Sequence, residues 1–148
     1  MKGYALTLEL PILWGDMDAL RHVNNTRYFA WFEAVRIAYF DSVRASLPHA
    51  RVAAVVEEVG PVLASIGCDY LRPVVYPGKV VVGVRVTEIG RSSVRMEYAV
   101  ARAGTPDEPC ARGTSVVVLV RYATMEKVRV PDDVRAAIEA LEGRAVKA

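Results

Sequence analysis

Apolar residues recur along this chain in two rhythms, and the change from one to the other divides it into elements. Over residues 4–13 (YALTLELPIL) they alternate, which predicts a first strand, with Pro11 marking an edge or a bulge. Residues 26–46 contain neither Gly nor Pro and set Tyr28, Phe32, Val35, Tyr39 and Val43 at helical spacing. A second side of that helix carries Phe29, Trp31, Ile37, Ala38 and Phe40. A helix apolar almost all round is expected to be enclosed by protein. Alternation then returns. Strands are predicted over 52–59, ending at a Gly60-Pro61 turn, and over 62–72, ending before Pro73 to Gly78. In 79–89, Val80, Val82, Val84 and Val86 share one face, and in 93–103 Val94, Met96, Tyr98 and Val100 do the same. Gly90 suits the hairpin between them. After the Gly104-Thr105-Pro106-Asp107 turn, 110–122 reads as a further strand. Pro131, Asp132 and Asp133 open a final helix with Val134, Ile138 and Leu141 on one stripe, and Gly143 ends it.

One long apolar helix followed by consecutive antiparallel strands predicts an α+β domain, its sheet curled around the helix. At 148 residues and 53% hydrophobic, the whole chain, 1–148, is expected to form one domain. A single curled sheet leaves edges and an uncovered face, which predicts a dimer or higher oligomer. The net charge of +2, from 19 basic and 17 acidic side chains, shows no basic stripe of the kind nucleic-acid binding requires, though it suits a phosphate-bearing ligand. Cys68 and Cys110 lie apart in apolar runs and read as buried free thiols, not as a disulfide or zinc framework. The first residues lack a secretory h-region, and no stretch has the ~20 apolar residues of a membrane span. The expectation is a cytoplasmic protein without membrane insertion.

The chemistry concentrates in residues 14–36, WGDMDALRHVNNTRYFAWFEAVR, where the first strand gives way to the helix. Two acids, one of the two histidines and two asparagines gather at a helix start. Each has an ordinary structural reading. Asp16 and Asp18 can accept turn N–H groups, and Asn24 and Asn25 are preferred helix caps. Glu33 and Arg36 can pair on one face. His22 can be a satisfied, partly buried side chain, and His49, beside Pro48, an exposed loop residue.

The combined pattern resembles the 4-hydroxybenzoyl-CoA thioesterase family of hot-dog enzymes. The matching residues are Trp14, Asp16, Asp18, His22, Val23, Asn24, Asn25, Tyr28, Phe32, Glu33 and Arg36. Tyr70-Leu71-Arg72-Pro73, the Gly78 turn and Gly90-Arg91-Ser92-Ser93 extend the likeness over nearly the whole chain. The resemblance implies a hot-dog fold, an antiparallel sheet curled around one long central helix. It implies an acyl-CoA thioesterase that assembles as a homodimer and further as a homotetramer, with no metal or redox cofactor. Asp18 then supplies the attacking carboxylate, as nucleophile or as general base for water. The backbone amide of Asn25, at the positive end of the helix, is the oxyanion donor. His22 orients Asp18, assists proton transfer or binds substrate. Asn24 and Tyr28 contact substrate, and Arg91, Ser92 and Ser93 hold the pantetheine and nucleotide phosphates. Asp16 is structural. An acyl group on a carrier protein, sharing the pantetheine arm, is an alternative substrate. Two other readings are a hot-dog dehydratase, disfavoured by the acid-rich turn, and a non-catalytic acyl-thioester-binding module, which would need no carboxylate there.

Overall fold

The alternating valines sit where their period places them, on the buried face of an antiparallel sheet. The computed structural model describes residues 1–48 and 58–148. Its elements are β1 (Leu6–Pro11), α1 (Asn25–Ala45), β2 (Val59–Tyr70), β3 (Lys79–Ile89), β4 (Ser93–Arg102), β5 (Pro109–Arg121), a two-residue β6 (Glu126–Lys127) and α2 (Asp132–Glu142). The strands follow the order β1-β3-β4-β5-β2, with β6 added to β5. Every neighbouring pair is antiparallel. Val80, Val82, Val84 and Val86 of β3 and Val94, Met96 and Val100 of β4 are wholly buried and pack beneath α1. From the helix come Tyr28, Phe32, Val35, Tyr39 and Val43, the stripe read from the sequence. This is the hot-dog arrangement, a curled sheet with one long helix laid in it.

Phe32 shows how closely the two layers meet. Its ring stacks on Tyr98, centroids 4.7 Å apart, over Gly113 of β5. A Cβ at position 113 would stand 2.5 Å from the Phe32 ring, so glycine is the residue that admits the aromatic. α2 closes one end. Gly143, with φ 66°, caps it in the left-handed conformation, as the sequence predicts. Its Glu142 accepts hydrogen bonds from the Tyr39 hydroxyl (2.8 Å) and the Val86 amide (2.6 Å), tying α2 to the helix and the sheet. No described helix is long and apolar enough to cross a membrane.

The structure corrects several expectations. Gly60-Pro61 is not a turn; both residues lie inside β2, paired with Val120 and Leu119. β2 is an edge strand, so the missing N–H of Pro61 can face away from the ladder. Of the 52–59 strand expected before them, Val59 begins β2 and Glu58 is in a turn, while residues 52–57, and His49, lie outside the described residues. The second side of α1 is only partly enclosed: Trp31 is buried, while Phe29, Ala38 and Phe40 are half-buried and Ile37 is exposed. Glu33, Ile37, Asp41 and Arg44 form an exposed stripe, with Ile37 54% exposed, because the sheet covers only one side of the helix. Both cysteines are free, but only Cys110 is buried; Cys68, on the edge strand, is half-buried.

Candidate active site

The path from β1 into α1 is set by a succession of short polar contacts. After Ile12, whose amide donates to the Gly78 carbonyl at 2.9 Å, residues Trp14–Asp16 make one turn of 3-10 helix. Asp16 is the hub of that turn and is 3% exposed. Its Oδ2 accepts from the Leu13 amide (2.8 Å), and its carbonyl accepts from the Asn24 amide (2.8 Å). Its Oδ1 lies 2.7 Å from Arg27 Nε, an ion pair without the alignment of a hydrogen bond. A carboxylate so buried and so fully engaged holds the loop and cannot be the reacting acid.

Asp18 stands differently. Met17 and Val23 form an antiparallel bridge, and the residues between them make a tight loop. The Asp18 amide donates to the His22 carbonyl (2.9 Å), and the Arg21 amide to the Asp18 carbonyl (3.0 Å). Arg21 takes a left-handed φ of 64°, the conformation that closes a three-residue hairpin loop. Asp18 Oδ1 accepts from the Leu20 amide at 2.8 Å, an Asx turn that fixes the side chain. Its Oδ2 has no partner among the described residues.

Next the Val23 amide docks on the Val74 carbonyl (2.8 Å), and Asn24 caps α1. Asn24 Oδ1 accepts from the Thr26 amide (2.9 Å) and hydroxyl (2.7 Å), while the Arg27 amide donates to the Asn24 carbonyl (3.0 Å). The second and third amides of the helix are therefore satisfied. The first, that of Asn25, has no acceptor among the described residues. It carries the partial positive charge of the helix end. Replacing Asn24 with Ala removes the cap and is expected to lower stability by about 0.5–2 kcal/mol, read as a shift in the urea midpoint.

An open cleft of about 480 Å³ joins these groups. Asp18, His22 and Asn25 line it together with Tyr28, and from the C-terminal end of β2 and the residues after it come Tyr70, Leu71, Arg72 and Pro73. The Asn24 side chain is not part of this lining; it serves the cap. Tyr28 is 3% exposed and forms the floor, with Tyr70 edge-on to it at 5.0 Å. Burial, with the Cys110 and Cys68 thiols nearby, pushes the Tyr28 phenol up to about 12. Burial and the adjacent Cys68 likewise push Tyr70 up to about 12. Burial and then the Glu142 contact raise Tyr39. All three keep their protons in the folded state where an unfolded chain, with an ordinary value of 10.0, begins to lose them. The unfolded state thus binds fewer protons above pH 10, and stability falls as pH rises from about 10 toward 12. Thermal melts over that range should show a steady decline in Tm, with tyrosinate absorbance rising on unfolding.

A family profile for the thioesterase-like superfamily matches residues 12–138, which takes in the Asp18 loop, α1 and every strand of the sheet but β1. The chain belongs to that superfamily. The reaction class that goes with it is thioester hydrolysis. Among solved structures, a Thermus thermophilus thioesterase complexed with coenzyme A and zinc is 33% identical. The alignment covers 99% of this chain and 100% of that one, with a TM-score of 0.81. A Pseudomonas aeruginosa protein is 31% identical over 99% of this chain and 96% of that one, again with a TM-score of 0.81. YsmA of Bacillus subtilis is 29% identical over 125 residues, 84% of this chain and 79% of its own length.

Within this thioesterase-like fold the remaining candidates fall into two groups. Asp18, His22, Asn25 and Tyr28 meet at the cleft. Arg91, Ser92 and Ser93 do not. They form the β3–β4 turn, where the Gly90 amide donates to the Ser93 carbonyl (2.8 Å), while β3 begins at Lys79 beside the end of β1 that leads to Asp18. Eleven residues of extended strand separate the two ends, roughly 30 Å. Arg91 is exposed at that far end. Tyr70, Leu71 and Arg72 are cleft residues that motif reading did not single out as site residues. Their likeness to the family pattern was the available signal, but only the fold brings them to Asn25.

Proposed function

We propose that the protein hydrolyses acyl-CoA thioesters to the free acid and CoA at the Asp18–Asn25 cleft. The observation that carries this reading is the pairing of two unspent groups at one opening: a carboxylate oxygen of Asp18 and the first amide of α1. A thioester carbonyl placed between them would direct its oxygen at the Asn25 amide, which stabilises the charge that develops there. Such a donor is worth about 3–4 kcal/mol. Asp18 attacks the carbonyl carbon directly, expelling the CoA thiolate and leaving a mixed anhydride that water then hydrolyses to the free acid, or it takes a proton from a water that attacks the carbonyl carbon and expels the thiolate. His22, on the same wall, is read as the group that supports Asp18 or conducts the proton. Tyr28 closes the floor beneath the acyl group.

Arg91, Ser92 and Ser93 cannot serve the cleft of their own protomer across ~30 Å. We assign them to the phosphates of a ligand bound to a neighbouring copy. Two features support assembly. The long strand β2 is paired on one side only. The cleft also leaves Leu20 78% and Leu71 51% exposed. An open edge and an apolar rim are what a second copy would cover, giving a dimer and, through further faces, a tetramer. Coenzyme A in the Thermus thermophilus relative supports CoA over a carrier protein as the thiol half of the substrate.

The test is thiol release from a panel of acyl-CoA esters varied in chain length and aromaticity, with matched acyl-pantetheine and acyl-carrier-protein substrates. Turnover of at least one CoA ester is expected. A folded chain inert toward the whole panel would overturn the reading in favour of a binding module.

A further inference from the structure

The amide that the cap leaves free is only useful if its direction is fixed, and one side chain from outside the loop bears on that. Tyr70 is the last residue of β2, 45 residues from Asn25, and its hydroxyl donates to the Asn25 carbonyl at 2.9 Å. Just before the cap, the Val23 amide is held by the Val74 carbonyl, and among the described residues the hydrogen bonds of Asn24 to Arg27 are otherwise local. Asn24 is gripped by the Asp16 carbonyl, the Thr26 amide by Asn24 Oδ1, and the Arg27 amide by the Asn24 carbonyl. The carbonyl of Asn25 belongs to the peptide that follows the donor amide. A hydrogen bond there adds to the helical one and holds the second peptide of α1 from outside the helix, restraining the dihedral angles at Asn25. Helix ends fray unless their terminal groups are held. An oxyanion donor is effective only when aimed in advance.

We propose that Tyr70 is a positioning residue for the reaction: its hydroxyl holds the first turn of α1 so that the Asn25 amide faces the substrate carbonyl. This rests on the hydrolytic reading above. Three features of the site agree with it. Tyr70 packs edge-on against Tyr28 at 5.0 Å, so its ring is fixed independently of its hydroxyl. The segment that follows it is pinned as well, with the Leu71 and Arg72 amides both donating to the Cys110 carbonyl at 2.8 and 3.0 Å. The phenol, raised to about 12, remains a donor throughout the working pH range. The lever is therefore anchored at its base on the sheet and acts at its tip on the helix end.

Tyr70→Phe keeps the ring and removes only the donor. On purified full-length protein, with the best acyl-CoA ester from the panel, kcat is expected to fall by about 10-fold, less than for losing the donor altogether. KM should change by less than about 2-fold, since the cleft walls are intact. Asp18→Asn is assayed beside it, and the Asn25 and Thr26 amide resonances are compared between wild type and Tyr70→Phe in 15N spectra. Shifted resonances with a loss confined to kcat support the proposal. Unchanged kcat in Tyr70→Phe, with activity abolished in Asp18→Asn, overturns it and leaves the hydrolytic reading standing. Unchanged kcat in both variants overturns the two together. A rise in KM alone assigns Tyr70 to substrate contact and also overturns it.

Discussion

Replacing Asp18 with asparagine is expected to lower kcat by at least ~100-fold while leaving the melting temperature near that of the wild type. Asparagine keeps a side-chain oxygen for the Leu20 amide, so the 2.8 Å Asx contact that shapes the loop can survive the change. What is lost is the free carboxylate oxygen. Asp18→Ala removes both, and is expected to show the same kinetic defect with an added small loss of stability. The contrast with Asp16 sharpens the assignment. Asp16 is the buried member of the pair, already committed to Leu13 and Arg27. Asp16→Asn should therefore act first on stability, and only through it on turnover. Measuring kcat and Tm together for both positions separates a chemical acid from a structural one. Full activity in Asp18→Asn would remove its proposed role.

The largest stability effect is expected at Phe32. The residue is wholly buried, stacked on Tyr98 and seated on Gly113. Phe32→Ala should cost about 3–5 kcal/mol, from the lost apolar transfer and from the void left between helix and sheet. For a chain of this size that corresponds to a drop in Tm of about 6–20 °C, seen by calorimetry or circular dichroism. Gly113→Ala alone should also destabilise, by about 1–3 kcal/mol, because its methyl would meet the ring. In the double variant the new methyl occupies part of the space the ring vacated. The combined loss should then be clearly smaller than the sum of the two. Strict additivity would mean that the two positions do not share one packing site.

How far the sequence could be read depended on whether the controlling interaction was local. The buried stripe of α1 and the valine faces of β3 and β4 were legible because their periods are properties of a few consecutive residues. The Asp18 loop was legible as a dense polar cluster at a helix start. The sequence reading of Asp16 as a turn acceptor agrees with the hydrogen bond it takes from the Leu13 amide. Gly60-Pro61 misled because Gly and Pro signal turns in general. Only the sheet order shows that β2 lies at an edge where Pro is tolerated. β6 is two residues long and has no periodic signal at all. The exposed stripe of Glu33, Ile37, Asp41 and Arg44 was present in the sequence. It was outweighed by Phe29, Trp31 and Phe40 on the neighbouring side, of which only Trp31 is fully buried. Tyr70 had the least local signal of all, since its link to Asn25 joins two points far apart in the chain. Arg91, Ser92 and Ser93 raised the opposite difficulty. Their chemistry suits phosphate, yet the length of β3 sets them at the far end of the sheet.

The proposed hydrolysis at this cleft would depend most on a carboxylate and a backbone amide acting on one carbonyl. A crystal structure with a CoA ketone, in which a methylene replaces the thioester sulfur, measures that arrangement directly. The ketone oxygen is expected about 2.7–3.1 Å from the Asn25 amide nitrogen, with the Asp18 carboxylate facing the carbonyl carbon. A carbonyl bound elsewhere, or with its oxygen turned from α1 and Asp18 out of reach, would contradict it.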